Sequence, residues 1–570
     1  MGSIGNSQQP EHDVLVIGAG LSGCYSLYRM RELGLKSKCI EAGTAVGGTW
    51  YWNRYPGARF DSESYSYGFS WSPEVLAEWN WTEHFAPQYE TEKYLNFICD
   101  KFNLREDIQF NTRIQSAKFL DDERRMWEVT DTSGNVYTSR FLITAMGVLS
   151  NPTLPNVPGV SHYKGEAFHT ARWPKDHVSF EGKRVGIIGT GATAIQAIPE
   201  IAKNVGHLTV FQRTPNWAIP LHNAKISPEE MADIRAGYPE MFEKLQKTRM
   251  CFIHDSNPDS IWEASPEQRE ELWEHLYAQP GFGMWLSNYK EILVDHKAND
   301  LVSEFVAKKI RQRVKDPETA ELLIPKNHGF GTRRVPMETS YYEAYNRPNV
   351  RLVDLHSTPI ERITEKGLRT KSVKEGVEGE EYDFDMLIYA TGFDAVTGAF
   401  DAIDFIGTDG KKLKEKWEEG PKTYLGMTLK AMPNMFMVSH LPSTTADNSL
   451  GLTANIWLYQ IMGPHQAYGN IPRSIEFAVD WVSNCIEHLH KNGLTRIEAR
   501  EEGVKQWTEH VHQISEGFLS NEIDSWMTGV NKNVAGRQKR IVARYNGSAV
   551  EFRQRCRDVA ARGYDSFDLA

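Results

Sequence analysis

Short unbroken apolar runs alternate along this chain with longer segments in which apolar residues recur every three or four positions. The first run, Asp13-Val-Leu-Val-Ile17, is short and β-branched and reads as a buried parallel strand. Gly18-Ala-Gly20-Leu21-Ser22-Gly23 follows, then a helical stretch through Tyr28 and Met30 to Leu33, with Gly34 as its C-cap. Cys39-Ile-Glu41 reads as a second strand and completes a strand–helix–strand unit. The order recurs once. Arg184-Val-Gly-Ile-Ile188 is a strand, Gly189-Thr190-Gly191-Ala192-Thr193-Ala194 opens a helix, and Leu208-Thr-Val-Phe211 is the next strand, ending at Gln212-Arg213-Thr214. Strands joined through helices lie parallel, so the pattern predicts an α/β fold.

Elsewhere the periodicity changes. Residues 221 to about 325 become helical with polar faces. Ser227-Pro-Glu-Glu230 and Ser265-Pro-Glu-Gln268 mark two helix starts, each with a Ser to accept from an orphan N–H, a Pro at the first helical position and an acid or amide to close the box. Gln279-Pro280-Gly281 ends the second of them. Residues 350 to 394 read as strands with a charged hairpin near Lys374 to Asp383, and Met386-Leu-Ile-Tyr389 runs into Ala390-Thr-Gly-Phe-Asp394. Residues 475 to 515 read as amphipathic helices, and residues 1 to 10 as a loose polar tail. No low-complexity linker separates the blocks, so the expected domains interleave.

With 570 residues, 40% apolar and 24% charged, the chain carries enough hydrophobic matter for several packed domains. A net charge of −11 disfavours nucleic acid and anionic membrane as partners, because both need a basic face. The six cysteines include no closely spaced pair, which removes the simplest zinc site and the redox disulfide of a flavin disulfide reductase; no metal is expected. Free thiols fit a reducing compartment. The opening residues lack an apolar signal core, and no apolar run is long enough to cross a bilayer. The expectation is a soluble, cytoplasmic protein, a monomer or weak oligomer.

The first glycine string has a strand before it, a helix after it and an acid at the end of the next strand. Gly18 permits the tight turn, Gly20 lets backbone approach a pyrophosphate, and Gly23 lets helix and strand pack. Glu41 can accept from ribose hydroxyls and repels a 2′-phosphate, so this site suits FAD or NAD and not NADP. The second string ends in Ala194, and Arg213-Thr214 stands where Glu41 stood. A cation and a hydroxyl there can hold a 2′-phosphate, which indicates NADPH. Two nucleotide sites of opposite electrostatic preference imply electron flow from NADPH to a bound flavin, which then carries the chemistry. The expected fold is therefore two interleaved Rossmann-like dinucleotide-binding domains with a helical insertion. The FAD domain takes residues 1–148 and 391–570, the NADP domain 149–220 and 330–390, and the insertion 221–329.

Between the two sites lies Tyr163-Lys-Gly165-Glu-Ala-Phe-His169-Thr-Ala-Arg-Trp173-Pro174. It resembles the fingerprint F-x-G-x-x-x-H-x-x-x-W-P of type I Baeyer–Villiger monooxygenases, with Tyr163 in place of Phe. On chemistry alone His169 could be a general base; the resemblance makes it a linker residue coupling domain movements. Gly47-Gly48-Thr49-Trp50-Tyr-Trp-Asn53-Arg-Tyr55-Pro56-Gly57-Ala-Arg-Phe-Asp61 matches the family again. The resemblance implies that Gly48, Thr49 and Trp50 line the flavin and that Asp61 sits near its reactive edge. In Gly331-Thr332-Arg333-Arg334, Arg333 replaces the family's Lys, which helps to bind the 2′-phosphate, and Arg334 matches the arginine acting at the flavin. Ser525-Trp526-Met-Thr-Gly529-Val-Asn531 resembles the phenylacetone monooxygenase branch, where the Trp folds over NADP. Leu21, Ser22, Asn53, Tyr67, Thr190, Ala192, Thr193 and Gln196 complete the set expected to touch cofactor. Residues 441–472 look longer than in that branch, and neither their role nor that of the insertion carries over.

The activity this implies converts a ketone and O2 into an ester or lactone through a flavin C4a-peroxide, at the expense of NADPH. Arg334 supplies a permanent cation beside developing negative charge, and Asp61 orients it. Two alternatives stay open: a flavin-containing monooxygenase acting on sulfur or nitrogen, against which Trp173-Pro174 argues, and a nucleotide-binding redox sensor, which would need neither Asp61 nor Arg334.

Overall fold

The structure, a computed structural model, describes residues 9–374, 376, 378–438, 469–534, 536–542 and 544–570. Most of the expected tail and most of 441–472 lie outside the described residues.

Two sheets organise the chain. The first is built on β1 (His12–Ile17), β2 (Ser37–Ile40), β3 (Ile108–Gln109), β4 (Ile114–Leu120), β5 (Met126–Asp131) and β6 (Val136–Thr144). β1 lies parallel between β2 and β6, as the apolar pattern requires, with the helix α1 (Leu21–Glu32) crossing between β1 and β2. The antiparallel run β4–β5–β6 was not foreseen; its half-exposed strands dilute the apolar signal that made β1 readable.

After β6 the chain leaves for a second sheet made of β7 (Glu166–His169), β8 (Arg184–Ile188), β9 (His207–Gln212), β10 (Val350–Asp354) and β11 (Met386–Tyr389), in the spatial order β10-β9-β8-β11-β7 and parallel throughout. Its crossover helix is α2 (Ala192–Ala202). The chain then returns to the first sheet as β12 (Asp404–Ile406), which pairs β4, and β13 (Met435–Met437), which pairs the second half of β6. Strands β1, β8 and β11 are buried on both faces, hence their unbroken apolar runs.

The two passages between sheets lie side by side. Thr153 N–H donates to Gly392 O (2.9 Å), and Asp394 N–H donates to Asn151 O (2.9 Å). The expected charged hairpin is a three-stranded antiparallel sheet, Ile360–Ile363, Gly367–Thr370 and Glu381–Asp383.

Residues 221–329 hold helices Pro228–Lys247, Pro266–Ala278, His296–Arg313 and Pro317–Leu323. The full capping box forms at Ser265. At Ser227 only half of it forms, because Glu230 points to the His84 ring (2.9 Å) instead of back to the Ser227 N–H. The amphipathic stretch 475–515 is two helices, Ile471–Lys491 and Glu501–Gln513, with a short strand between.

Candidate active site

The first glycine turn is built against β6. Gly18 has φ +102°, and a Cβ there would stand 2.6 Å from Ala145 O; a Cβ on Gly23 would stand 1.8 Å from Gly18 O. Among the described residues no side chain caps α1 at Gly20, so its first turn presents backbone N–H groups, the usual partners of a pyrophosphate. Leu21 and Ser22 form that turn, half-buried. Glu41 is buried at the end of β2 and accepts from Ala19 N–H (2.7 Å) and Gly43 N–H (2.6 Å). Burial pushes its carboxyl up, against the pull of those two N–H groups and of Arg113. It therefore holds the glycine loop in shape, while each oxygen keeps a lone pair for a ribose hydroxyl.

A second loop closes on this one. Gly48 (φ +53°) packs against Gly20 so closely that a Cβ on it would stand 2.8 Å from Gly20 Cα. Thr49 is exposed beside it. Behind, Trp50 Nε1 donates to Tyr67 Oη (3.1 Å), and Phe60 stacks on Tyr67 at 4.3 Å between ring centres. Asn53 Nδ2 donates to Thr49 O (2.9 Å), which closes the short helix Thr49–Trp52. These bonds tie Tyr67 and Asn53 into the loop.

The second cradle repeats the first turn. Gly189 has φ +111°, with its absent Cβ 2.4 Å from Ala390 O, and α2 begins uncapped at Gly191, followed by Ala192, Thr193 and the buried Ala194. Thr190 Oγ1 donates to Thr214 O (3.0 Å), tying the turn to the end of β9, and Thr193 Oγ1 donates to Thr170 Oγ1 (3.1 Å). Among the described residues, no atom lies within 4 Å of a Cβ built on Gly191. Arg213 faces solvent near Arg333, and among the described residues neither has a carboxylate within ion-pair distance. Arg333 donates to Asp524 O (2.8 Å), whose carboxylate is taken by Arg540 (2.8 Å). Burial first, and Arg213 second, push the Arg333 guanidinium down to about 10. Two neighbouring guanidiniums, with Asp524 near but in no ion pair with either, have the charge that a dianion would complement. Trp526 lies half-buried two residues beyond Asp524.

Between the cradles, three distant segments converge on one buried carboxylate. Asp61 is 3% exposed. Its Oδ2 pairs with the Arg334 Nη2 and accepts from Met337 N–H (3.4 Å), and its Oδ1 accepts from Gln196 Nε2 (3.1 Å). Burial pushes Asp61 above the ordinary aspartate value, opposed mainly by Arg334. Arg334 also donates to Val335 O (2.6 Å), and its guanidinium lies over the rings of Phe282 (5.6 Å) and Trp285 (5.9 Å). Those two aromatics come from the helical block and were not anticipated; the Gln279-Pro280-Gly281 break was the available signal, since it turns the chain back toward the site. Gln196, expected to touch nucleotide, turns its amide nitrogen to Asp61.

His169 sits at the double passage between sheets. Its Nδ1 accepts from Ala171 N–H (3.0 Å), so Nε2 carries the proton toward Thr153 O (3.3 Å), with Thr391 Oγ1 at 3.5 Å. Burial pushes the ring down to about 4. A neutral imidazole with both nitrogens committed has neither of them free to act as a base. Trp173 packs on Phe168 and Phe180, and Tyr163 donates to Phe384 O (3.0 Å).

Comparison with known proteins follows the same outline. The family model described as flavin-binding monooxygenase-like matches residues 11–312. The 2-oxo-Δ3-4,5,5-trimethylcyclopentenylacetyl-CoA monooxygenase of Pseudomonas putida is 41% identical over 99% of both chains. The cyclohexanone 1,2-monooxygenase of an Acinetobacter species is 37% identical, covering 99% of this chain and 97% of its own. A crystal structure of OTEMO in complex with FAD and NADP superposes with a TM-score of 0.90 at 41% identity, covering 99% of this chain and all of the other.

Proposed function

We propose, for a chain that belongs to the flavin-binding monooxygenase-like family and is an FAD- and NADPH-dependent Baeyer–Villiger monooxygenase, that Arg334 held by Asp61 governs oxygen insertion into a ketone. The residues fit both cofactors. The first cradle offers uncapped N–H donors and a buried acid that excludes a 2′-phosphate, which suits FAD. The second offers the same turn and an unpaired arginine couple, which suits NADPH. When bound, flavin accepts hydride and activates O2. Gly18, Gly20, Gly23, Glu41, Gly48, Thr49 and Trp50 would surround it; Gly189, Gly191, Ala194, Arg213, Thr214, Arg333 and Trp526 would surround NADPH.

The single observation that carries this reading is the buried ion pair of Asp61 and Arg334 between the cradles. An arginine keeps its proton at any pH the enzyme meets, so it can stabilise negative oxygen without donating that proton and quenching it. At about 4 Å and an effective dielectric near 20, such a charge is worth about 4 kcal/mol. Asp61 fixes where the cation points, and Phe282 and Trp285 keep water off the guanidinium. The division of the chain into an FAD domain (1–148 and 391–570), an NADP domain (149–220 and 330–390) and an insertion (221–329) rests on the same reading. The substrate is a small-molecule ketone; cyclic ketones head the panel to try.

The test is product analysis with Arg334→Ala. The variant should remain yellow, oxidise NADPH, release hydrogen peroxide and lose ester formation by about three orders of magnitude. Ester at the wild-type rate would remove the role given to Arg334. Sulfide offered beside ketone separates oxygen insertion from heteroatom oxygenation.

A further inference from the structure

We infer that Gln196, steered by the Tyr55 hydroxyl, is a positioning residue for the reaction: its amide sets Asp61, and Asp61 sets Arg334. The inference rests on the role given to Arg334 above and extends it to a residue of the opposite cradle.

The geometry leaves the amide one orientation. Gln196 Nε2 lies 3.1 Å from Arg59 O and 3.1 Å from Asp61 Oδ1. A carbonyl and a carboxylate can only accept, so the nitrogen must face them and Oε1 must face away. On that side Tyr55 Oη donates to Oε1 at 2.8 Å. Tyr55 is buried, and burial pushes its phenol up, so the hydroxyl keeps the proton it donates. Every bond in the series Tyr55, Gln196, Asp61, Arg334 then has one direction.

Packing fixes the same contact. Gly57 (φ +79°) lies directly on α2; a Cβ there would stand 2.4 Å from Gln196 O. The loop Tyr55–Asp61 is thus seated on the first turns of the helix whose N-terminus opens the second cradle. Movement of that helix against the first cradle must move Gln196, and with it the oxygen that holds Arg334. Gln196 touches Asp61 and not the reacting atoms, so it positions and does not catalyse.

Charged and titratable groups facing Asp61 are Arg334, Arg59 and Tyr55. Taking an N–H donor from a buried carboxylate favours its protonated form, and a protonated Asp61 loses its grip on Arg334. In holoenzyme, Gln196→Met should therefore shift the acid limb of ester formation upward by about one pH unit. At neutral pH it should convert about nine-tenths of the ester yield to hydrogen peroxide, about a tenfold loss. Anaerobic flavin reduction by NADPH should stay within about twofold, which a general loosening of the fold would not allow. Tyr55→Phe should move both readouts the same way by less, and it carries the test should Gln196→Met fail to keep flavin. Acid limbs unmoved in a yellow, folded variant overturn the inference. Run beside them, Arg334→Ala separates the two failures. If it still couples oxygen to ester, the role of Arg334 falls; if it uncouples while the limbs stay put, only Gln196 falls.

Discussion

The two nucleotide cradles begin alike and end differently. Both open on a glycine with positive φ pressed against a carbonyl at the end of a neighbouring strand segment, Ala145 O for Gly18 and Ala390 O for Gly189, and both helices start uncapped. Beyond that turn they part. The first is roofed by Gly48 packed on Gly20, and its acid is buried and already bonded to backbone. In the second, no atom of the described residues comes within 4 Å of a Cβ built on Gly191, and Arg213 faces solvent. One turn thus serves two kinds of tenancy. On the proposed reading the roofed cradle retains FAD and the other exchanges NADPH, a difference that the following substitutions test.

Substitutions that test this asymmetry run from severe to mild. Gly48→Ala should be the harshest, since its Cβ meets backbone at 2.8 Å and its φ of +53° strains any L-residue. The purified protein should come out colourless, read by the ratio of flavin to protein absorbance, and a full flavin complement would refute the roof. Next, Arg213→Ala removes one charge-assisted partner of a 2′-phosphate, worth about 1.5–3 kcal/mol. The NADPH over NADH ratio of kcat/KM should fall by about ten- to a hundredfold, and an unchanged ratio would exclude that partner. Mildest should be Gly191→Ala, at the position equivalent to Gly20 but with no atom of the described residues within 4 Å of the new methyl. Because that methyl stands where backbone would approach the pyrophosphate, KM for NADPH should rise by about fivefold, with flavin content unaffected. Loss of flavin from Gly191→Ala would erase the distinction between the cradles.

How much of this was legible in the sequence follows from the range of the interactions. The two glycine turns and their flanking strands were read directly, because strand, turn and helix signals are local. So was the electrostatic contrast between Glu41 and Arg213. Asp61 and Arg334 were singled out by resemblance, but their ion pair joins segments that no local rule relates. Gln196 was expected to touch nucleotide; that its amide nitrogen also meets Arg59 and Asp61 is something no periodicity encodes. The strands β4 to β6 escaped because they face water on one side and alternate weakly. Phe282 and Trp285 escaped because the helical block was read only as an insertion, with no sign that it reaches the ion pair.

The paired passages at Asn151–Thr153 and Gly392–Asp394 have a consequence for engineering. Everything from β7 to β11 leaves and re-enters at one spot, its two ends joined by backbone hydrogen bonds of 2.9 Å. Topologically that half is a graft on a single stem. A gene splice at those two points could exchange it for the corresponding half of a relative without lengthening any loop of the host, and a protease cutting only one passage would leave a nicked molecule still held by the other.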